Sequence, residues 1–261
     1  MFVAAVAGSQ ISLRMVSRTP DTWTGNDAQE GYALSAVLGL LALMVGFTYA
    51  LAVDRFEERR RLVLDEANAV SVAFFNTQLL VEPYRERGSR LLISYTENKI
   101  ALARATSWAQ AASLSARDEH ITAELWTLAA QAYPSIRDYD FSTAYLSSIN
   151  RVIELDLARK ASRALSVPSL AIALLVIYLI AAAGMLGFVM KGSGGRFVST
   201  FLLVLLNLSI MLVIDIDRPV SGAVNESQMP MEVLRDTILA RSPVQPAPAR
   251  PGDMPRADPA P

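Results

Sequence analysis

The sequence predicts an all-α membrane protein: transmembrane helices, with a cytoplasmic helical bundle inserted between the first and second of them. Three observations carry this reading. Hydrophobic residues fill 52% of 261 positions, above the roughly 45–50% typical of soluble domains. The excess is concentrated in three runs without a formal charge, "GYALSAVLGLLALMVGFTYALAV" (Gly31 to Val53), "VPSLAIALLVIYLIAAAGMLGFVM" (Val167 to Met190) and "FVSTFLLVLLNLSIMLVI" (Phe197 to Ile214). Between and beyond them no segment alternates with a period of two, so nothing reads as a strand.

Each run is long enough for a bilayer. At a rise of about 1.5 Å per residue they span roughly 27 to 36 Å, against a hydrocarbon layer of about 30 Å. A helix buried in a soluble core rarely runs so far without a charge on any face. A secretory signal peptide is excluded for the first run, which is too long and is followed by arginines instead of a small-residue cleavage site. The spans are thus 31–53, 167–190 and 197–216. Residues 1–30 form an N-terminal stub, because "MFVAAVAG" is too short to cross and Arg14 follows soon after.

After the first span, "DRFEERRRLVLDEANAVSVAFFNTQLLVEP" holds no Gly or Pro before Pro83, so the helix continues out of the membrane. Charges at i, i+4, such as Arg61 with Asp65, lace its exposed start. Pro83 suits the first turn of the next helix, through "YRERGSRLLISYTENKIALARA". Ser115 with Asp118 resembles a capping box and predicts a further helix ending before Pro134. Another runs from about Tyr139 to Leu165, so residues 54–166 form the bundle. "KGSGGR", residues 191–196, is an external hairpin; its glycines lack the Walker spacing that would cradle a phosphate. Residues 217–241 are a juxtamembrane segment whose Met231, Leu234 and Ile238 share one side of a short amphipathic helix. That helix lies on the bilayer or docks on the bundle. The last twenty residues, 242–261, are a disordered tail rich in Pro and Ala.

Arginines decide the orientation. Arg55, Arg59, Arg60 and Arg61 follow the first span, and Arg151, Arg159, Lys160 and Arg163 precede the second, whereas the hairpin holds only Lys191 and Arg196. The positive-inside rule therefore places the bundle in the cytoplasm and the hairpin outside. Asp54 and Arg55 then mark the cytoplasmic exit of the first span, and Asp215, Asp217 and Arg218 that of the third. A carboxylate at the membrane edge needs water or a partner, so these charges reach headgroups and water, or else form a charged vestibule or an ion-pair lock between spans.

Composition excludes several chemistries. A formal net charge of −1 gives no field for nucleic acid, and the absence of cysteine removes disulfides and thiolate sites. With one histidine, His120, an all-histidine metal site is impossible within the chain, and no metal or cofactor is expected. Glu66 lies near Asn68, which does not titrate, and no second carboxylate is tied to Glu66 by a recognisable spacing. Buried contacts in the bundle fit this triplet better than catalysis. No catalytic residue is assigned, and the chain does not read as an enzyme.

Several segments together carry a family resemblance: "VGFTYALAVDRFEERRRLVLDEANAV", "RLLISYTENKIAL", "LSSINRVIELDLARKASRALSVP" and "DIDRPVSG". From about residue 31 to 240 the chain resembles the bestrophin-like domain family of bacterial membrane proteins of unassigned function. The most specific pieces are Glu66-Ala67-Asn68 and Asp217-Arg218-Pro219, with Gly222 following. Members generally have an additional span at the N-terminus, so the resemblance makes the stub a remnant of one or the product of a late start codon. Otherwise the chain has three spans and an outside N-terminus. Bestrophins proper are pentameric anion channels with a Gly-Phe pair in the pore helix, shortly before an Arg at the membrane exit. Gly46-Phe47 and Arg55 are similar here, and Leu43 lies one turn before Phe47. The resemblance thus implies Leu43 and Phe47 at a pore neck, an inorganic anion as the permeant species, and self-association. Ser35 with Gly39, and Ala42 with Gly46 and Ala50, add the small-residue spacing that lets membrane helices approach closely. The competing expectation is a non-conducting scaffold or sensor whose cytoplasmic bundle binds a protein partner.

Overall fold

The computed structural model describes residues 27–165, 167–190, 192–217 and 226–241. Seven helices account for nearly all of them: α1 Asp27–Thr77, α2 Tyr84–Ala103, α3 Trp108–Ile136, α4 Phe141–Ala164, α5 Ser169–Val189, α6 Gly192–Asp217 and α7 Met229–Arg241. No strand occurs among the described residues. The expected residues Arg218, Pro219 and Gly222, the stub through residue 26 and the tail from 242 lie outside the described residues.

α1 runs 51 residues without a break, as its lack of internal proline and the helix-favouring stretch "DRFEERRRLVLDEANAV" require. α2 starts directly after Pro83. α3 differs from the expectation at both ends. It begins at Trp108, where Ser107 Oγ accepts from the Gln110 N–H at 3.2 Å. Asp118, expected in a first turn, lies mid-helix and is fully buried. α3 runs two residues past Pro134, through Ser135 to Ile136, which is buried in the core. The glycine-rich hairpin is also shorter than expected, because α6 already starts at Gly192. A Cβ on Gly195 would lie 3.0 Å from the Met190 carbonyl carbon, so a bare backbone is what permits the close return of the chain.

The chain divides into two compact units. One joins residues up to Arg59 with Ala161–Glu226. Its core is Leu34 and Leu41 of α1, Leu175, Leu179, Ala182, Ala183 and Leu186 of α5, and Leu203 and Ile210 of α6. Ala52, Val167, Val213 and Ile216 close one end. Polar side chains in the apolar runs spend their donors within their own helix. Thr48 donates to Met44 O at 2.7 Å, Ser199 to Gly195 O at 2.9 Å and Asn207 to Leu203 O at 2.8 Å. That is the economy hydrocarbon demands. Among the described residues, three helices are long and apolar enough to cross a membrane: Gln29–Thr77, Ser169–Val189 and Gly194–Asp217.

The other unit gathers Arg60–Lys160 and the segment from Ser227 onward. Its core takes Val63, Val70, Ala73 and Phe74 from α1, Leu92 and Tyr95 from α2, and Ile121, Leu125 and Ala129 from α3. Tyr145, Ile149 and Val152 of α4 complete it, with Met231, Leu234 and Ile238 of α7. The amphipathic helix therefore docks on the bundle, and its half-buried Glu232 accepts from Arg104 at 2.5 Å.

Candidate functional site

α1 leaves an apolar stripe uncovered in its first half. Leu40, Leu43 and Phe47 are 43%, 54% and 64% exposed, one helical turn apart from one another. The small residues Ser35, Gly39, Ala42, Gly46 and Ala50 are exposed as well, and a Cβ on Gly39 or Gly46 would meet nothing within 4 Å. The 3.6-residue period explains the split, with Leu34, Leu41, Thr48 and Ala52 turned inward. Leu43 and Phe47 thus sit together on an exposed face of α1.

At the foot of the first apolar run, Asp54 is exposed and Arg55 half-buried. Asp215 and Asp217 are half-buried at the end of α6. Both Asp217 carboxylate oxygens accept the Val167 N–H at 3.0 Å, fixing the start of the next apolar run to the end of the third. The residue that joins the spans here is Arg59. It is 2% exposed, donates through Nη2 to the Ile216 carbonyl at 2.9 Å, and holds Glu226 Oε1 3.2 Å from its Nε. Arg163 Nη2 stands 3.7 Å from the other oxygen of Glu226.

The bundle contains a second polar centre. Glu66, fully buried on α1, accepts from Tyr95 Oη at 2.5 Å and from Arg159 Nη1. Lys99 Nζ lies 3.6 Å from Glu66, donates to Asp118 Oδ2 at 2.9 Å and also donates to Asp156. Lys160 bridges the same two aspartates, at 2.9 Å to Asp118 and 2.8 Å to Asp156. Three carboxylates thus meet three cations, drawn from all four long helices of the unit. Burial alone would raise the Asp156 pKa, but the nearby Lys99 and Lys160 outweigh it and the net shift is downward. Burial pushes Lys160 down, and its bonds to Asp156 and Asp118 reverse this to a net upward shift. Burial, followed by the field of the Glu66, Asp156 and Asp118 carboxylates, raises the Tyr95 phenol well above its usual value. Every ionised group is spent on another.

Asn68 does not join Glu66. Two residues on, it turns to the surface beside Arg61, Asp65 and Arg151. Sequence reasoning missed Lys99, Asp118, Asp156 and Arg159, although a signal was present. Each sits at helical spacing from apolar residues that define a buried face: Lys99 after Leu92 and Tyr95, Asp118 before Ile121 and Leu125, Asp156 after Ile149 and Val152, Arg159 after Val152 and Leu155. A charge on such a face needs a partner of opposite sign on a neighbouring helix.

Three long apolar helices and a charge-paired helical bundle define an all-α membrane protein. A family model for the bestrophin-like domain matches residues 1–231, and the chain belongs to the bestrophin-like family. Its fold is that of bacterial bestrophin homologues. An Asp-to-Ala variant of the homologue from Klebsiella pneumoniae superposes with a TM-score of 0.70 at 15% identity, covering 94% of this chain and 98% of that one. The homologue phased with zinc, from the same organism, gives 0.65 at 16% identity, covering 90% and 93%. At such identity the likeness concerns the fold alone. No curated protein matches the chain.

Proposed function

We propose that the protein is one protomer of a homo-oligomeric anion channel of a bacterial inner membrane, with Leu43 and Phe47 near the narrowest part of the pore. The observation that carries this reading is the uncovered stripe of α1, 54% and 64% exposed at these two residues, in a chain of the bestrophin-like family. Three apolar helices enclose too little interior for a pathway, so several copies must line it together, each presenting this stripe. The adjoining Gly39 and Gly46 let neighbouring helices approach closely. On this reading the chain crosses three times, residues 54–166 lie in the cytoplasm, and Asp54, Arg55, Asp215, Asp217 and Arg218 ring the cytoplasmic mouth. The ionised groups of the bundle hold the fold and perform no turnover. Glu66, with the motif residues Asn68, Pro219 and Gly222, serves structure in this scheme.

Reconstituted liposomes test it. Purified protein is expected to migrate as an oligomer by native mass measurement in detergent and to pass chloride, and Phe47→Ala is expected to change the flux several-fold. Monomers alone would end the channel reading. An oligomer without flux, unaffected by Phe47→Ala, would favour the scaffold or sensor, for which the exposed Val72 and Phe75 at the far end of α1, with Leu79 just beyond it, offer a partner surface.

A further inference from the structure

The foot of the first apolar run contains two guanidiniums with unused donors. Arg59 is 2% exposed. Its Nη2 is taken by the Ile216 carbonyl at 2.9 Å and its Nε faces Glu226 at 3.2 Å, but its Nη1 is buried without any acceptor. One helical turn earlier, Arg55 Nε is likewise buried without an acceptor. Residues four apart on a helix share a face, so the two orphan donors belong to one locus. Buried N–H groups of a charged side chain are almost always satisfied, and an orphan asks for an unseen water or ion.

The nearby carboxylates do not answer the demand. Asp54 is exposed, Asp217 is spent on the Val167 N–H, and Glu226 occupies the Nε side of Arg59. Glu226 is itself shared between Arg59 and Arg163, while Arg59 Nη1 and Arg55 Nε have no acceptor. A planar guanidinium presents its donors as a fork that matches an oxyanion in two-point contact, better than it matches a spherical halide. The locus also lies where an uncharged run of 23 residues, Gly31 to Val53, gives way to charge.

We propose that Arg55 and Arg59 bind a phosphate-type oxyanion, carried by a phospholipid headgroup or free in solution. Arg59 is held rigid by Ile216 and Glu226 and supplies the fixed half of the site; Arg55, half-buried, supplies the adjustable half. The bound group satisfies the two orphan donors and reinforces the tie of α1 to the end of α6 through Arg59. The proposal stands whether or not the protein conducts.

Thermal unfolding of the full-length protein tests it, first in a phosphate-free neutral detergent. Inorganic phosphate is titrated against chloride at equal ionic strength. In a second arm the protein is reconstituted into phosphatidylglycerol vesicles or into vesicles of a phosphate-free galactolipid. A saturable rise in the unfolding temperature is expected in at least one arm. A response to inorganic phosphate assigns the site to a free anion, and a response to phosphatidylglycerol alone assigns it to a headgroup. Arg55→Gln is expected to unfold at the parent's temperature without ligand and to weaken the response at least about tenfold, the scale of a charge-assisted bond. Arg55→Lys, which keeps the charge and loses the fork, is expected to weaken it as well, and serves if the glutamine variant does not fold. No saturable response in either arm, or a response that survives both substitutions unchanged, would overturn the proposal.

Discussion

Lys99 shows what burial demands of a single charge. It is 4% exposed and answers Glu66, Asp118 and Asp156 at once, while its ammonium lies 5.0 Å from the centre of the Tyr95 ring. Removing one partner of such a set strands the others in a medium of low dielectric. Lys99→Met is therefore expected to destabilise the bundle by about 3–5 kcal/mol, measured by denaturant unfolding in detergent. The same residues give a pH signature. Asp156 has a depressed pKa in the folded state, so its contribution is present above the ordinary 3.8 and is lost as the pH falls through the lowered value. Lys160 is raised above its ordinary 10.5 and Tyr95 well above 10.0, so their contributions are present below those values and fade as the pH climbs through the raised ones. A stability plateau between about pH 4 and 10, falling on both sides, is the expected outcome. In Lys99→Met the acid limb should move toward neutral pH, because the cation closest to Asp156 is gone.

Single elements were legible to different depths. Helix α7 was written in its pattern, since Met231, Leu234 and Ile238 fall on one side and all three are buried. What the pattern did not contain was the choice between lipid and bundle, because an apolar stripe of that width suits either. The stripe meets the bundle core, so Met231→Ala is expected to cost about 2–5 kcal/mol and to leave membrane association intact, measured by unfolding and by sedimentation with lipid. The start of α3 was misread for a related reason. Ser115 and Asp118 have the spacing of a cap, but Ser107 eight residues earlier has the extended backbone of one, and Asp118 was needed by Lys99 and Lys160. Local chemistry announces caps; it does not announce a partner 19 or 42 residues away in the chain. Arg59 escaped notice likewise. It looked like one member of an arginine run, whereas its position relative to Ala52 and Val63 puts it on the buried side of α1.

For the whole molecule, the three apolar helices were legible because hydrocarbon imposes a length and forbids charge, two constraints that need no knowledge of packing. The surfaces that assemble copies are less legible, since an exposed Phe47 satisfies lipid as well as a neighbour. Topology is the property to test at this scale. A cysteine placed at Thr127, exposed on α3 in this cysteine-free chain, is expected to react with an impermeant maleimide only after the cells are opened. Labelling of intact cells would place the bundle outside and reverse the orientation. The six interlocked side chains of that bundle, three of each sign, also constrain how the sequence can drift. A sum of zero survives no solitary loss of charge: removing any member leaves an odd charge among buried neighbours. Inheritable change that alters charge at these positions must come as matched couples, an acid departing together with a base, or a hydrocarbon pair arriving in place of both.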